Sequence, residues 1–209
     1  MKKTITILLA TAIGSLALAQ SSMPGMKTNT PSHNMSTMSA PKTPGMLGMN
    51  MKSMTSAMDS LSKLTGRSFD RAFLSMMIPH HTAAVAMSKA VLPVSQDEQV
   101  KAWANAIITS QQEEISTMNM LLKPYGGPNV TLMAMMQKSM GGMAGVVNMA
   151  KDPELAFVQG MLPHHSSAID MAKLALEKST DAQVLKLSRD IVVAQAGEMY
   201  DFQTWLSRR

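Results

Sequence analysis

The chain has 209 residues, of which 24 are methionine, five histidine and none cysteine, with a formal net charge of +5. The missing cysteines exclude a disulfide framework and thiolate metal sites. A mild basic excess without a dense basic run and interleaved aromatics argues against a nucleic-acid partner.

The first segment, "MKKTITILLATAIGSLALAQ", joins Lys2 and Lys3 to an apolar run ending near Leu18, with small residues at Ala17 and Ala19. That pattern predicts a secretory signal over residues 1–19, cleaved near Ala19, and a periplasmic or secreted protein. Loss of the two lysines takes the formal charge from +5 to +3. No other apolar run approaches the roughly 18 residues a membrane helix needs, so no membrane span is expected.

Residues 20–60 read as a disordered arm, rich in Ser, Thr, Pro, Gly, Asn and Lys and lacking aromatic or β-branched apolar residues. Its methionines recur as spaced pairs, Met23/Met26, Met35/Met38, Met46/Met49 and Met51/Met54, with His33 among them. Thioethers on a flexible chain have no core to fill and read as accessory soft-metal ligands. From about Met46 the arm is able to turn helical on binding.

Residues 61–209 carry helical periodicity. A helix opens near Phe69 behind Ser68 and ends near Leu92–Pro93; the next starts at "SQDE", a capping box of Ser95 and Glu98, and reaches about Lys123 before "PYGGP". Residues 124–151 are a methionine-rich connection, part helical and interrupted at Gly141–Gly142. A third helix begins at Asp152 as N-cap with Pro153 in first position and continues to about Lys178; a fourth runs from about Asp181 to Leu206. Residues 69–122 align without a gap on 153–206 with 18 identities in 54 positions. Hairpins over 66–123 and 152–207, joined by a long crossover, predict an all-α, ferritin-like four-helix bundle built by duplication.

The repeat gives each inward face twice. Phe73, Met77, His80, Ala84, Met87 and Val91 form one seam; Phe157, Met161, His164, Ala168, Met171 and Ala175 form its copy. The partner helices carry Val100, Ala104, Ile107, Gln111, Glu114, Met118 and Leu121, and Val184, Ser188, Ile191, Gln195, Glu198, Phe202 and Trp205. At one level of each hairpin the apolar stripe is therefore broken by His on one helix and by Gln plus Glu on the other. Unsatisfied, each buried polar group costs a few kcal/mol, so these six must find one another, water or a cation. His81 and His165 fall about 100° further round, at the seam's edge. Pro79 and Pro163 cannot donate to the carbonyls of Ser75 and Gln159, which predicts a kink and a freed carbonyl beside the histidines.

"FDRAFLSMMIPHHTAAVAM" followed by "IITSQQEEISTMNMLL" resembles the domain-of-unknown-function 305 family, whose pattern is M-I-P-H-H-x-x-A-V-x-M and then I-I-x-x-Q-x-x-E-I-x-x-M. The resemblance spans about residues 66–207. The second copy departs from it at Ser166–Ser167, Met199 and Phe202. It implies an exported helical bundle, with periplasmic copper-binding proteins among the members. Its metal positions carry over onto Met77, His80, His81, Met87, Met161, His164, His165 and Met171, with Gln111, Glu114, Gln195 and Glu198 as supporting groups. His33, Met35, Met38, Met46, Met49, Met51 and Met54 are accessory candidates from composition alone.

The reading is a non-enzymatic Cu(I)-binding protein, with Ag(I) as surrogate, that sequesters or delivers copper in copper tolerance. Another copper-handling envelope protein is the expected partner, and self-association is compatible with the methionine-lined surfaces. Three alternatives stand beside it. The seam histidines could be satisfied core groups bonded to Gln111 or Glu114 and their copies, and the methionines could scavenge oxidants. A ferritin-like di-metal oxidase is the third, although no Glu-x-x-His occurs.

Overall fold

The computed structural model describes residues 49–209; the expected signal segment, the arm as far as residue 48, and with them His33, Met35, Met38 and Met46, lie outside the described residues. The described chain is all-helical: α1 (Met51–Ser62), α2 (Gly66–Val91), α3 (Glu98–Leu122), a 3-10 turn (Lys123–Tyr125), α4 (Val130–Met140), α5 (Met143–Met149), α6 (Pro153–Lys178) and α7 (Ala182–Leu206). The hairpins α2–α3 and α6–α7 pack against each other mainly through α2 and α6, and the crossover lays α4 and α5 along α2. No helix among the described residues is long and apolar enough to cross a membrane.

The duplicated seams are buried as the periodicity requires. Phe73, Met77, His80, Ala84, Met87 and Val91, and their six copies on α6, are all within 1 % of complete burial. Each hairpin's second helix starts the same way: Asp97 Oδ1 accepts from the amides of Gln99 and Val100, and Asp181 Oδ1 from those of Gln183 and Val184. This corrects the expected Ser95–Glu98 capping box. Asp97, two residues beyond Ser95, already satisfies the free amides, so Ser95 Oγ bonds Glu154 Oε1 on α6 instead. α2 likewise begins earlier than Ser68, with Thr65 as N-cap.

A reciprocal clasp joins the hairpins. Trp205 Nε1 donates to Asp97 Oδ2 at 2.9 Å, and Tyr125 Oη donates to Asp181 Oδ2 at 3.0 Å with Asp70 Oδ2 at 3.2 Å. The aromatic at the end of one hairpin thus meets the capping aspartate of the other, so α3 and α7 run antiparallel. Burial, and then the bond to Asp181, pushes the Tyr125 hydroxyl well above its usual value.

Residues 49–60 do not behave as a disordered arm. Asn50 caps α1 and its amide donates to Ser139 O at 2.8 Å, while Lys178 Nζ holds Ser62 O at 2.7 Å. Met54, Ala57 and Leu61, at i, i+3 and i+7, bury one face of α1 in the core beside α4. Aromatic and β-branched residues are not needed, because unbranched methionine fills irregular space well.

These additions break the two-fold symmetry. With α3, α4, α5 and α6 around it, α2 is buried on every face over residues 72–81, whereas Gln159, Ser166 and Asp170 of α6 remain exposed. Leu61→Ala on the fully buried face of α1 is expected to destabilise the protein by about 2–5 kcal/mol in urea unfolding. An unchanged midpoint would return α1 to the arm.

Candidate metal centre

α2 and α6 continue through Pro79 and Pro163 without a break. One residue later each delivers a histidine to the interface between the helices, where the His80 and His164 rings lie 3.9 Å apart, centroid to centroid. Their sequence neighbours flank them: His81 stands 6.1 Å from His80 and His165 stands 5.8 Å from His164. The four imidazoles therefore form one row, from α3 across α2 and α6 to α7, and all four are completely buried. Burial of His81 and His165 corrects their expected place at the seam's edge; α3 and α7 cover them with Glu114 and Glu198.

Each ring has an identifiable anchor. His81 Nε2 lies 2.6 Å from Glu114 Oε2. His165 Nε2 lies at the same distance from Glu198 Oε2, but outside hydrogen-bond geometry. His80 Nε2 lies 2.7 Å from Ser167 Oγ, and His164 Nε2 donates to the carbonyl of His80 at 2.8 Å. The carboxylates thus face the second histidine of each pair rather than the seam histidine. The carbonyl that meets an imidazole belongs to His80 rather than to Ser75 in the preceding turn.

These contacts settle tautomers. Ser167 Oγ donates its one hydrogen to His164 O at 2.8 Å, so it accepts from His80 Nε2–H. A carbonyl only accepts, so His164 also carries its proton on Nε2. The Nδ1 atoms of His80 and His164 are then bare lone pairs. All four Nδ1 atoms are buried without a partner among the described residues, as are Gln111 Oε1 and Gln195 Oε1. The alternative of a satisfied polar layer is therefore met at the Nε2 atoms of His80, His81 and His164 and not at the Nδ1 atoms by any described residue.

Burial first, and then the neighbouring imidazoles, hold His80 and His164 well below the usual histidine value; the His80 carbonyl offsets this only in part for His164. Both rings are neutral at pH 7.

The remaining candidates divide between core and surface. Met77, Met87, Met161 and Met171 are all buried on the same seams. Met87 reaches across to α6: a Cβ at Gly160 would lie 2.9 Å from its Cε, so the missing side chain gives it room. Gln111 and Gln195 are buried, and Glu114 and Glu198 keep 21 % and 24 % of their side chains exposed. Among the described residues no three His, Asp or Glu side chains converge on one point, so an ion in this row would draw further ligands from elsewhere, the nearby thioethers among them. Met49, Met51 and Met54 lie on and just before α1.

Ser167 was not among the expected site residues. Its signal was the departure from the family pattern at Ser166–Ser167, where the first copy has Ala83. Because Ala83 offers His164 no hydroxyl, that ring turns to the backbone of His80.

The profile of the Domain of unknown function (DUF305) matches residues 14–122 and 154–209. Among solved structures, CopM in the Cu(II)-bound form is 28 % identical with a TM-score of 0.61, covering 66 % of this chain and 96 % of that one. CopM has also been solved in Cu(I)-bound and Ag-bound forms. A DUF305 fragment from Deinococcus radiodurans is 26 % identical with a TM-score of 0.58, covering 67 % and 96 %. "Uncharacterized protein L153" of Acanthamoeba polyphaga mimivirus is 45 % identical over 53 residues, which span 25 % of this chain and 35 % of that protein.

A neutral buried histidine makes stability depend on pH with a definite sign. The unfolded chain takes up protons near the ordinary histidine value of about 6.5, and His80 and His164 in the folded chain do not. Stability is therefore full above pH 6.5 and falls as the pH drops below it, by up to about 1.4 kcal/mol per pH unit for each of the two rings. Urea unfolding of metal-free protein between pH 7 and 5 should show this slope, and His80→Leu should reduce it.

Proposed function

The chain belongs to the DUF305 family, and from that membership and its buried imidazole row we propose that it binds copper as Cu(I), with Ag(I) as a surrogate, outside the cytoplasm. The observation that carries the reading is the division of labour within the two central rings. In His80 and His164, Nε2 meets a protein oxygen and Nδ1 is buried without a partner among the described residues. Metal-ligating histidines are oriented in this way, the second nitrogen fixing tautomer and direction while the first binds.

The chemistry of the donors suits a soft monovalent ion. His80 and His164 are neutral at working pH, so binding displaces no proton from them. Met77 and Met161 precede them by three residues, and Met87 and Met171 follow by seven, all buried on the same seams. Thioether and imidazole together favour Cu(I), and neither is lost in an oxidising compartment as a thiol is. CopM, solved with copper and with silver, supports the choice of metal.

In a purely structural role, four Nδ1 atoms, His165 Nε2 and two amide oxygens of this layer have no partner among the described residues, and each one left unpaired costs of order 1–3 kcal/mol. Sequestration or delivery, without turnover, follows from a site that holds its ion in a dry core. In this reading residues 1–19 export the chain and a second copper-handling envelope protein supplies or receives the ion. Self-association belongs to the same reading.

Anaerobic Cu(I) titration against a chromogenic chelator tests it, with His80→Leu/His164→Leu as the variant. Loss of both central rings is expected to weaken competition for Cu(I) by at least about 100-fold, while circular dichroism and the urea midpoint report an intact bundle. A folded variant that competes as well as the parent chain would falsify the imidazole site.

A further inference from the structure

α1 and α6 enclose a cavity of about 250 Å³ outside the imidazole row. One wall is Met49, Met51, Met54 and Met58; the other includes Ser167 and Asp170 of α6. On α1 the spacing is i, i+3, i+7, so Met51, Met54 and Met58 lie on one stripe of the helix. Pro163, Ser167 and Asp170 repeat nearly that spacing on the facing helix. Ordinary packing would close such a stripe by interdigitation. Here four flexible thioethers border open space.

We propose that this cavity is a second soft-metal site, for Cu(I) or Ag(I), in which the thioethers of Met49, Met51, Met54 and Met58 are the ligands and Asp170 supplies the compensating charge. Four neutral sulfurs leave a bound monovalent ion with its full charge. Asp170 is exposed and makes no hydrogen bond or ion pair among the described residues, so its carboxylate is available to balance that charge through solvent. Met54 is 5 % exposed and Met49 8 %, whereas Met51 is 43 % exposed, so the set runs from the surface inward. Its inner wall is Ser167, whose hydroxyl holds His80 Nε2 at 2.7 Å. An ion in this cavity therefore stands one side chain away from the imidazole row.

The inference deepens the copper reading by giving the described part of the methionine-rich segment a fixed site on the fold. It rests on that reading for the choice of metal, not on the histidines being ligands. A preformed cavity costs less ordering entropy on binding than a flexible arm closing around an ion.

Ag(I) titration of the full chain labelled with 13C in its methionine methyl groups separates the two. The methyl resonances of Met49, Met51, Met54 and Met58 are expected to move together and saturate at one equivalent. Met51→Leu/Met54→Leu/Met58→Leu, which nearly preserves volume, should lose that one equivalent by native mass spectrometry. In this variant Met77 and Met161 should still respond. If the four α1-side methyls stay in place while Met77 and Met161 move, the cavity is packing only and the imidazole reading stands. If the α1-side methyls move and the others do not, the second site stands and the imidazole row is structural. Movement of neither group overturns both.

Discussion

The structure depends on taking four imidazoles out of water at one level of an apolar bundle. A neutral imidazole brings one donor and one acceptor, and an interior of Phe, Met, Ala and Val offers neither. Three rings are hydrogen-bonded to an oxygen, His81 to Glu114, His80 to Ser167 and His164 to the carbonyl of His80, while Glu198 stands 2.6 Å from His165 Nε2 outside hydrogen-bond geometry. Those four placements face Nε2 toward protein and leave Nδ1 turned inward. Burial holds His80 and His164 neutral, so a ligand for these two rings would displace no proton from them.

The same constraint explains why the bundle is not symmetric. Strict duplication would give His80 and His164 identical partners across the pseudo-two-fold axis. The two rings lie 3.9 Å apart, centroid to centroid, and are tilted by 42°. Ser167 in place of Ala83 supplies a hydroxyl on one side only, and the other ring takes the main chain. Asymmetry continues outward. α1, α4 and α5 pack on the side of α2, which is enclosed over residues 72–81, while α6 keeps an exposed flank facing the α1 cavity.

This arrangement would couple stability to the occupancy of the row. The clasp of Trp205 on Asp97 and Tyr125 on Asp181 holds the two hairpins at the register that brings the histidines level. Within that register the Nδ1 atoms and the amide oxygens of Gln111 and Gln195 have no partner among the described residues. An ligand that engages them would stabilise the folded state in proportion to its affinity, because the unfolded chain does not present the row.

Sequence alone determined the helices, their duplication and the buried seams, because a repeat read twice fixes the helical phase and an apolar stripe can be buried in one direction only. It also marked Asp152 and Pro153 as a helix start, a local matter of unsatisfied amides. It did not determine which polar group meets which. Helical phase set His81 about 100° from the seam, yet the ring is buried because α3 brings Glu114 over it. The Ser95–Glu98 box lost to a closer aspartate, and the helix α1 forms where α4 and α2 cover its Met54, Ala57 and Leu61 face. Partner choice is a distance in three dimensions between residues as far apart as His80 and Ser167, and no periodicity encodes it. Only the tertiary structure aligned four anchored rings in one row and left their Nδ1 atoms free.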